Sequence, residues 1–586
     1  MNQIDPKSLK IINSLPPIAR KGDKISVDSE FSNQIKERLH RAHGDFSFLG
    51  CSYDGVSVYY ITDEAQIQEF YDRIDAGVHL YVHAKYDLTQ LRRFANLPQR
   101  KLLWDCMLIE QIMFSGYYSP GEFSLADLAR RYLDIYLPKE VRAEFGENDN
   151  TASLTQEQLE YSCVDVVATW RVYQAQREMI DENDLEIWKK IELPFLWTIL
   201  SMGGIRLDTE KWIALAEKNE KIAKDIQDKY GHIESVKLDK PKRSGETHKD
   251  EFVGINLNSP KQVKEHFASI GYKKLTSTDV EALESLADEC EFAKDMLLYR
   301  THSKRASTYG RKFIEDYVEA DGKIYADLFQ VGGETGRTSC RTPNLQNQPN
   351  EKEYRDCFIA EENNCLVVAD YGSQEPRIAA YLSQDEGLIN ALNGTEKLYI
   401  TIARDALGIR ITKESPEYSH IKSTILGIFY GMSASGLSKR IGVDKDSAQD
   451  MIDSILQAYP GIRDYMNRQK QAQDYVTSIY GRKIWLNKYS YQWERNALNA
   501  PIQSSAADAT KLACNCFLEK TSIMKKSSWN LCLIIHDELV IQCPISEYDE
   551  TIKLLESCMI YTAENMHDGI RGVVEIYNGS SWSCKS

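Results

Sequence analysis

Two sets of carboxylates stand out by their spacing. In KISVDSEF (24–31), Asp28 and Glu30 are two residues apart on a predicted strand. Side chains alternate along a strand, so both acids point to one face and can share metal ions. In YSCVDVVATW (161–170), Tyr161 and Asp165 are four apart on a predicted helix and are neighbours there. Asp87, in VHAKYDLTQL (82–91), opens a helix-like run. Four carboxylates and a tyrosine suit two-metal phosphodiester hydrolysis. The acids hold the ions and the tyrosine orients the attacking water.

The second set lies far along the chain. CLVVAD (365–370) reads as a buried strand ending in Asp370, and LCLIIHDELVIQC (531–543) reads as two apolar strands joined at His536, Asp537 and Glu538. An acid leaving one strand and an acid on a hairpin turn can meet across a sheet. Such a pair can hold two Mg²⁺ ions, one activating an attacking hydroxyl and one stabilising a leaving oxygen. Between them, YSHIKSTILGIFYG (418–431) reads as a helix with Tyr418, Lys422, Leu426 and Tyr430 on one side. A lysine beside an aromatic ring suits a nucleoside triphosphate, the cation taking phosphate and the ring packing on a base or sugar.

The elements that must position these residues change along the chain. Residues 1 to about 180 read as α/β, and 190–320 as mostly helical with a polar break at 240–251. Strand-like pieces return from 322 in IYADLFQV and CLVVAD, 385–475 is helical, and the end carries the hairpin. At 586 residues the chain is too long for one core. It is 42% hydrophobic and 27% charged, ordinary for a globular protein, with no apolar run of membrane-spanning length and no secretory leader. The 13 cysteines are scattered, which argues against zinc or a disulfide framework and for a reducing cytoplasm. The net charge of −16 does not exclude nucleic acid, because phosphate binding depends on local patches. Basic residues gather at 237–243, at 299–305, which includes Lys304, and at 310–312.

Taken in order, these segments resemble the family A DNA polymerases. The first polymerase motif is similar to Asp370-Tyr371-Gly372-Ser373-Gln374-Glu375-Pro376-Arg377, the second to Lys422 through Tyr430-Gly431, and the third to His536-Asp537-Glu538. The stretches at 335–347, 494–508 and 256–260 also match in order. The first acidic set resembles the three exonuclease motifs of the proofreading domain fused to this family, and Trp104-Asp105 follows the same pattern. The resemblance implies an α/β (α+β multidomain) fold. An RNase H-like exonuclease domain at 1–185 would precede a right-hand polymerase domain at 186–586. Its palm would be 190–210, 322–385 and 490–586, its thumb 211–321 and its fingers 386–489.

It also implies roles. Asp370 and Asp537 bind metal with the Tyr371 carbonyl, and Asp28, Glu30, Asp87 and Asp165 do so in the exonuclease. Lys422 neutralises the triphosphate and donates a proton to the leaving pyrophosphate. Tyr430 borders the nascent pair, and Glu375 stands where a ribose 2′-hydroxyl would collide. Arg337, Arg495, Asn499, Gln503 and His536 line the minor groove and primer terminus, where readout is tolerant of sequence. Lys304 joins the DNA contacts. The implied cofactor is Mg²⁺, two per site, with Mn²⁺ as a substitute. The implied partners are primer–template DNA, deoxynucleotides and replisome proteins such as a helicase and a single-strand-binding protein, with the chain a monomer.

The sequence departs from the family at three places. Tyr418 stands where an arginine is usual, leaving Lys413 as a stand-in cation. Leu426 stands where Phe or Tyr is usual, which predicts turnover below about 10² per second. Lys397-Leu398-Tyr399 keeps only the tyrosine of a pattern that begins with an acid. With about twenty residues before the exonuclease-like region and no long thumb insertion, the layout resembles a phage enzyme. The alternative reading is a 3′→5′ exonuclease with an impaired polymerase half.

Overall fold

The computed structural model describes residues 3–32, 44–99, 102–138, 141, 154–237, 248–273, 275–415, 417–472 and 474–585, with backbone alone at 233–237 and 248–252. The polar break at 240–251 and most of the basic run at 237–243 therefore lie largely outside the described residues. Where the break borders described chain, the strands Gly231–Lys237 and His248–Gly254 pair antiparallel, so a two-stranded ribbon flanks a segment read as a simple interruption of helices.

The amino-terminal unit is built on a six-stranded mixed sheet. Its order is Lys10–Asn13, Ser57–Ile61, Asp45–Ser52, Lys24–Ser32, Val78–Tyr81 and Leu103–Asp105. Strand Lys24–Ser32 pairs antiparallel with Asp45–Ser52 and parallel with Val78–Tyr81. Ile25, Val27 and Phe31 point into the core, so Asp28 and Glu30 take the opposite face by alternation. Helix Gln156–Met179 packs against this strand, and a reciprocal capping box between Thr155 and Gln158 fixes its start.

The segment Glu182–Ser201 joins two cores. Trp188, Ile191, Leu196 and Trp197 belong to the first, while Phe195 and Ile199 belong to the second. Beyond it, the long helices Thr209–Tyr230 and Glu291–Thr308 pack together. IYADLFQV divides into two short strands rather than one. Lys323–Ile324 pairs with Ile205–Leu207, and Asp327–Phe329 pairs with Ser339–Arg341.

The central sheet of this unit is antiparallel, in the order Asn530–Ile535, Glu538–Pro544, Asn364–Tyr371 and Val574–Gly579. Strand Asn364–Tyr371 lies between two neighbours and buries Leu366, Val367, Val368 and Ala369 completely. That explains its nearly continuous apolar run. Helices Tyr548–Met566 and Trp493–Ile523 pack together beside the sheet. Among the described residues, 386–469 hold six helices around a third core that includes Ile425, Ile428 and Phe429.

Candidate active sites

Chain direction and one tight turn create the carboxyl-terminal site. Strand Asn364–Tyr371 delivers Asp370 at its end. The next strand pair is joined by a two-residue turn, because Ile535 pairs with Glu538 and leaves only His536 and Asp537 between them. His536 takes a left-handed backbone with φ of 57°, as a turn this tight requires. Asp370 lies in register with Glu538 on one side and Glu575 on the other. Four acids therefore meet at one end of the sheet. Burial, then repulsion from Asp370, pushes the Asp537 carboxyl up to about 7. Burial also raises Asp370, and Lys585 works against that rise.

Helix Gln374–Ser383 starts just past Asp370, after Ser373 turns left-handed, and sets Glu375 in its first turn. Glu375 accepts hydrogen bonds from Arg337 and from the Tyr430 hydroxyl, so its side chain is held from two directions. The predicted helix is observed as Tyr418–Phe429, with Tyr430 closing its end. The Lys422 ammonium lies 5.6 Å from the centre of the Tyr399 ring, and that ring meets Tyr418 edge-on at 6.2 Å. A cavity of about 620 Å³ is bordered by Arg337, Asp370, Tyr371, Glu375, Lys422, Leu426, His536 and Asp537. Residues of four separate segments thus share one opening.

The remaining nucleic-acid candidates lie elsewhere. Arg495, Asn499 and Gln503 are on helix Trp493–Ile523, with Arg495 exposed and Asn499 buried. The Asn499 Oδ1 is buried without a hydrogen-bond partner. Glu494 pairs with Lys470 at 3.2 Å, not with its neighbour Arg495. Lys304 is exposed on helix Glu291–Thr308. None of these four borders the cavity.

Sequence reasoning missed two groups that do, Arg571 and Glu575, and noted Lys397 only as a departure from the family pattern. Lys397 borders the cavity as well and donates to Glu575 at 3.1 Å. Lys585 donates to Asp370 Oδ2 at 2.7 Å and to Glu538 Oε2 at 2.6 Å. No local pattern announces Lys585, which reaches the site only because strand Val574–Gly579 brings the end of the chain beside Asp370.

In the amino-terminal unit, Asp28, Glu30 and Asp165 converge. One carboxylate oxygen of each lies within 4.8 Å of the others, a spacing that fits a bound cation. Tyr161 sits one helical turn before Asp165. Asp87 stands beside this trio rather than in it. It is the fourth residue of helix Ala84–Leu91, buried, and its Oδ1 accepts from the Ser29 amide at 3.2 Å and the Ser29 hydroxyl at 2.6 Å. Ser29 lies between the two strand acids, so Asp87 ties its helix to their backbone. Burial pushes Asp87 up to about 7 and Asp105 up to about 6. Asp105 accepts from the amides of His83, Ala84, Met107 and Leu108, and so joins the starts of two helices. One of these is the helix that carries Asp87.

Comparison with known proteins identifies the family. Residues 232–584 match the family described as DNA polymerase family A, and residues 17–181 match the family described as 3′-5′ exonuclease. The chain belongs to DNA polymerase family A and carries a 3′-5′ exonuclease domain. It is 29% identical to DNA polymerase I of Borreliella burgdorferi, over 99% of this chain and 65% of that protein. It is 31% identical to DNA polymerase I of Mycobacterium leprae, over 74% of this chain and 49% of that protein. It thus spans between about half and two thirds of these relatives' length. The solved structure of the POL domain of Pol1 from M. smegmatis, in complex with DNA primer–template and dNTP, matches with a TM-score of 0.78 at 26% identity. That match covers 97% of this chain and 96% of the other.

Proposed function

We propose that this chain is a DNA-directed DNA polymerase that extends a primer 3′ end with deoxynucleotides and proofreads through a 3′→5′ exonuclease. The observation that carries the reading is the meeting of Asp370, Asp537, Glu375 and Lys422 around one cavity. In this reading the palm is 190–210, 322–385 and 490–586, the thumb 211–321 and the fingers 386–489, with the exonuclease at 1–185.

The donor sets fit divalent ions. Asp370 already binds a cation, the Lys585 ammonium, and Asp28, Glu30 and Asp165 lie within reach of one ion, with Asp87 beside them. Asp370, Asp537 and the Tyr371 carbonyl would hold Mg²⁺ or Mn²⁺ in the polymerase site, and Asp28, Glu30, Asp165 and Asp87 in the exonuclease. Bound ions supply Lewis-acid activation of the attacking oxygen and stabilise charge on the leaving group. Lys422 neutralises the triphosphate and offers a proton to pyrophosphate. Glu375, held by Arg337 and Tyr430, blocks a 2′-hydroxyl. Tyr430 and Leu426 border the nascent pair. Arg337, His536, Arg495, Asn499, Gln503 and Lys304 contact primer–template. Tyr161 orients the water that attacks the terminal phosphodiester. The biological setting we favour is phage genome replication in a host cytoplasm, as a monomer working with replisome proteins.

Tyr418 and Leu426, which both border the cavity, favour the second reading of a nuclease with an impaired polymerase half. Incubation with Mg²⁺ and a labelled primer–template decides between the two. Extension with the four deoxynucleotides and shortening without them is the expected result. Shortening under both conditions would sink the polymerase reading.

A further inference from the structure

We propose that Lys585 is a tethered counter-cation of the polymerase carboxylates. In the ion-free enzyme it holds Asp370 together with Glu538, and a divalent ion must draw Asp370 away from it. This rests on the reading of Asp370 as an ion ligand.

The geometry is specific. The ammonium of Lys585 lies 2.7 Å from Asp370 Oδ2 and 2.6 Å from Glu538 Oε2. Asp370 and Glu538 are directly opposed on adjacent strands, where two carboxylates would otherwise repel. The lysine is placed rather than swinging. Three residues earlier, the buried Trp582 donates its indole N–H to Glu538 Oε1 at 2.6 Å, stacks edge-on against Phe358, and lies under the Arg355 guanidinium at 4.5 Å. Among the described residues Lys585 is the one cation paired with Asp370. Glu538 has other support, with Trp582 on one oxygen and Arg355 at 3.9 Å from the other. Lys585 can therefore shift to Glu538 alone without leaving that acid bare.

A fixed positive charge on a ligand oxygen opposes a second cation at the same carboxylate. It also spares the folded chain the repulsion of Asp370, Asp537, Glu538 and Glu575 when no ion is bound. A site neutralised in this way holds a divalent ion weakly by itself and gains it with the negative charge of an incoming triphosphate.

The test uses the full chain carrying Asp28→Ala and Glu30→Ala, which removes the first acidic cluster, so that Mn²⁺ binding reads the second. Bound Mn²⁺ is measured from loss of the free-ion paramagnetic signal, without DNA or nucleotide. Lys585→Gln is expected to bind Mn²⁺ roughly three- to ten-fold more tightly than its parent, and Lys585→Arg to match the parent. In EDTA, Lys585→Gln is expected to melt at a lower temperature than its parent, with Mn²⁺ closing the gap. A purely structural lysine would lower the melting temperature without tightening the ion. Lys585→Met repeats the measurement should the glutamine variant fail to fold. Unchanged or weaker Mn²⁺ binding in the folded neutral variants overturns the proposal. Asp370→Asn separates the two premises. If it leaves Mn²⁺ binding intact, Asp370 is no ion ligand and both readings fall. If it abolishes binding while Lys585→Gln does not tighten it, only the counter-cation role fails.

Discussion

Glu375 shows how much one side chain depends on its holders. Free on a helix it would sample several rotamers, but Arg337 and Tyr430 fix it at the cavity. Replacing Glu375 with Ala is expected to raise ribonucleotide incorporation at least ten-fold relative to deoxynucleotide, about 1.4 kcal/mol of lost discrimination, in single-nucleotide extension assays. No change would remove it as the barrier. The acids carry a pH signature as well. Burial, then the charge of Asp370, pushes the folded Asp537 carboxyl up to about 7, against an ordinary value of 3.8. Between about pH 4 and 7 the folded chain keeps a proton that the unfolded chain has lost, so ion-free stability falls as pH rises through this window. Melting curves in EDTA from pH 4.5 to 8 should show that decline, and Mg²⁺ should flatten it, since an ion replaces the proton. At the same scale, Asp370→Ala should abolish extension and spare digestion, with Asp28→Ala doing the reverse. A folded variant that lost both activities would contradict two separate sites.

At the scale of elements, the two-residue turn matters most. It places Asp537 at the end of the sheet where the charge of Asp370 reaches it, and its first residue, His536, sits at a φ of 57°. A β-branched side chain is poorly tolerated there, so His536→Val should destabilise the chain by roughly 1–2 kcal/mol, whereas His536→Gly should keep the fold. Denaturant unfolding of the two variants distinguishes backbone strain from loss of the ring. Helix Tyr418–Phe429 carries a second expectation. Leu426 borders the cavity at a place where a larger ring is usual in the family, so Leu426→Phe should raise the incorporation rate in pre-steady-state kinetics. An unchanged rate would show that Leu426 does not limit turnover.

Across the whole molecule, the two units are joined through buried charge as well as apolar cores. Glu192, on the connecting segment, accepts from Arg482 at 2.5 Å and from Lys511 at 2.6 Å, and Arg482 also donates to Asp508 at 2.6 Å. Both side chains of the Arg482–Glu192 pair are fully buried. Removing one member strands the others in low dielectric, so Arg482→Met should cost about 3–5 kcal/mol in equilibrium unfolding. The helix that carries Asp87 is tied to the other unit as well, because Lys85 pairs with Asp327 and donates to the Leu328 carbonyl at 2.9 Å. Lys85→Ala is therefore expected to weaken digestion more than extension.

Much of this protein could be read from local pattern. Alternation on a strand put Asp28 and Glu30 on one face, helical spacing paired Tyr161 with Asp165, and a buried run followed by a polar turn marked Asp370 and the hairpin of Asp537. Each depends on backbone periods of two or 3.6 residues, which neighbours in sequence set among themselves. Strand register and chain return were not legible in this way. They brought Glu575 and Lys585 to Asp370, hung Asp87 on Ser29 rather than within the trio, and buried Arg482 between Glu192 and Asp508. Those partners are separated by 26 to 290 positions, so their meeting depends on how sheets and helices pack, which no short window of sequence contains.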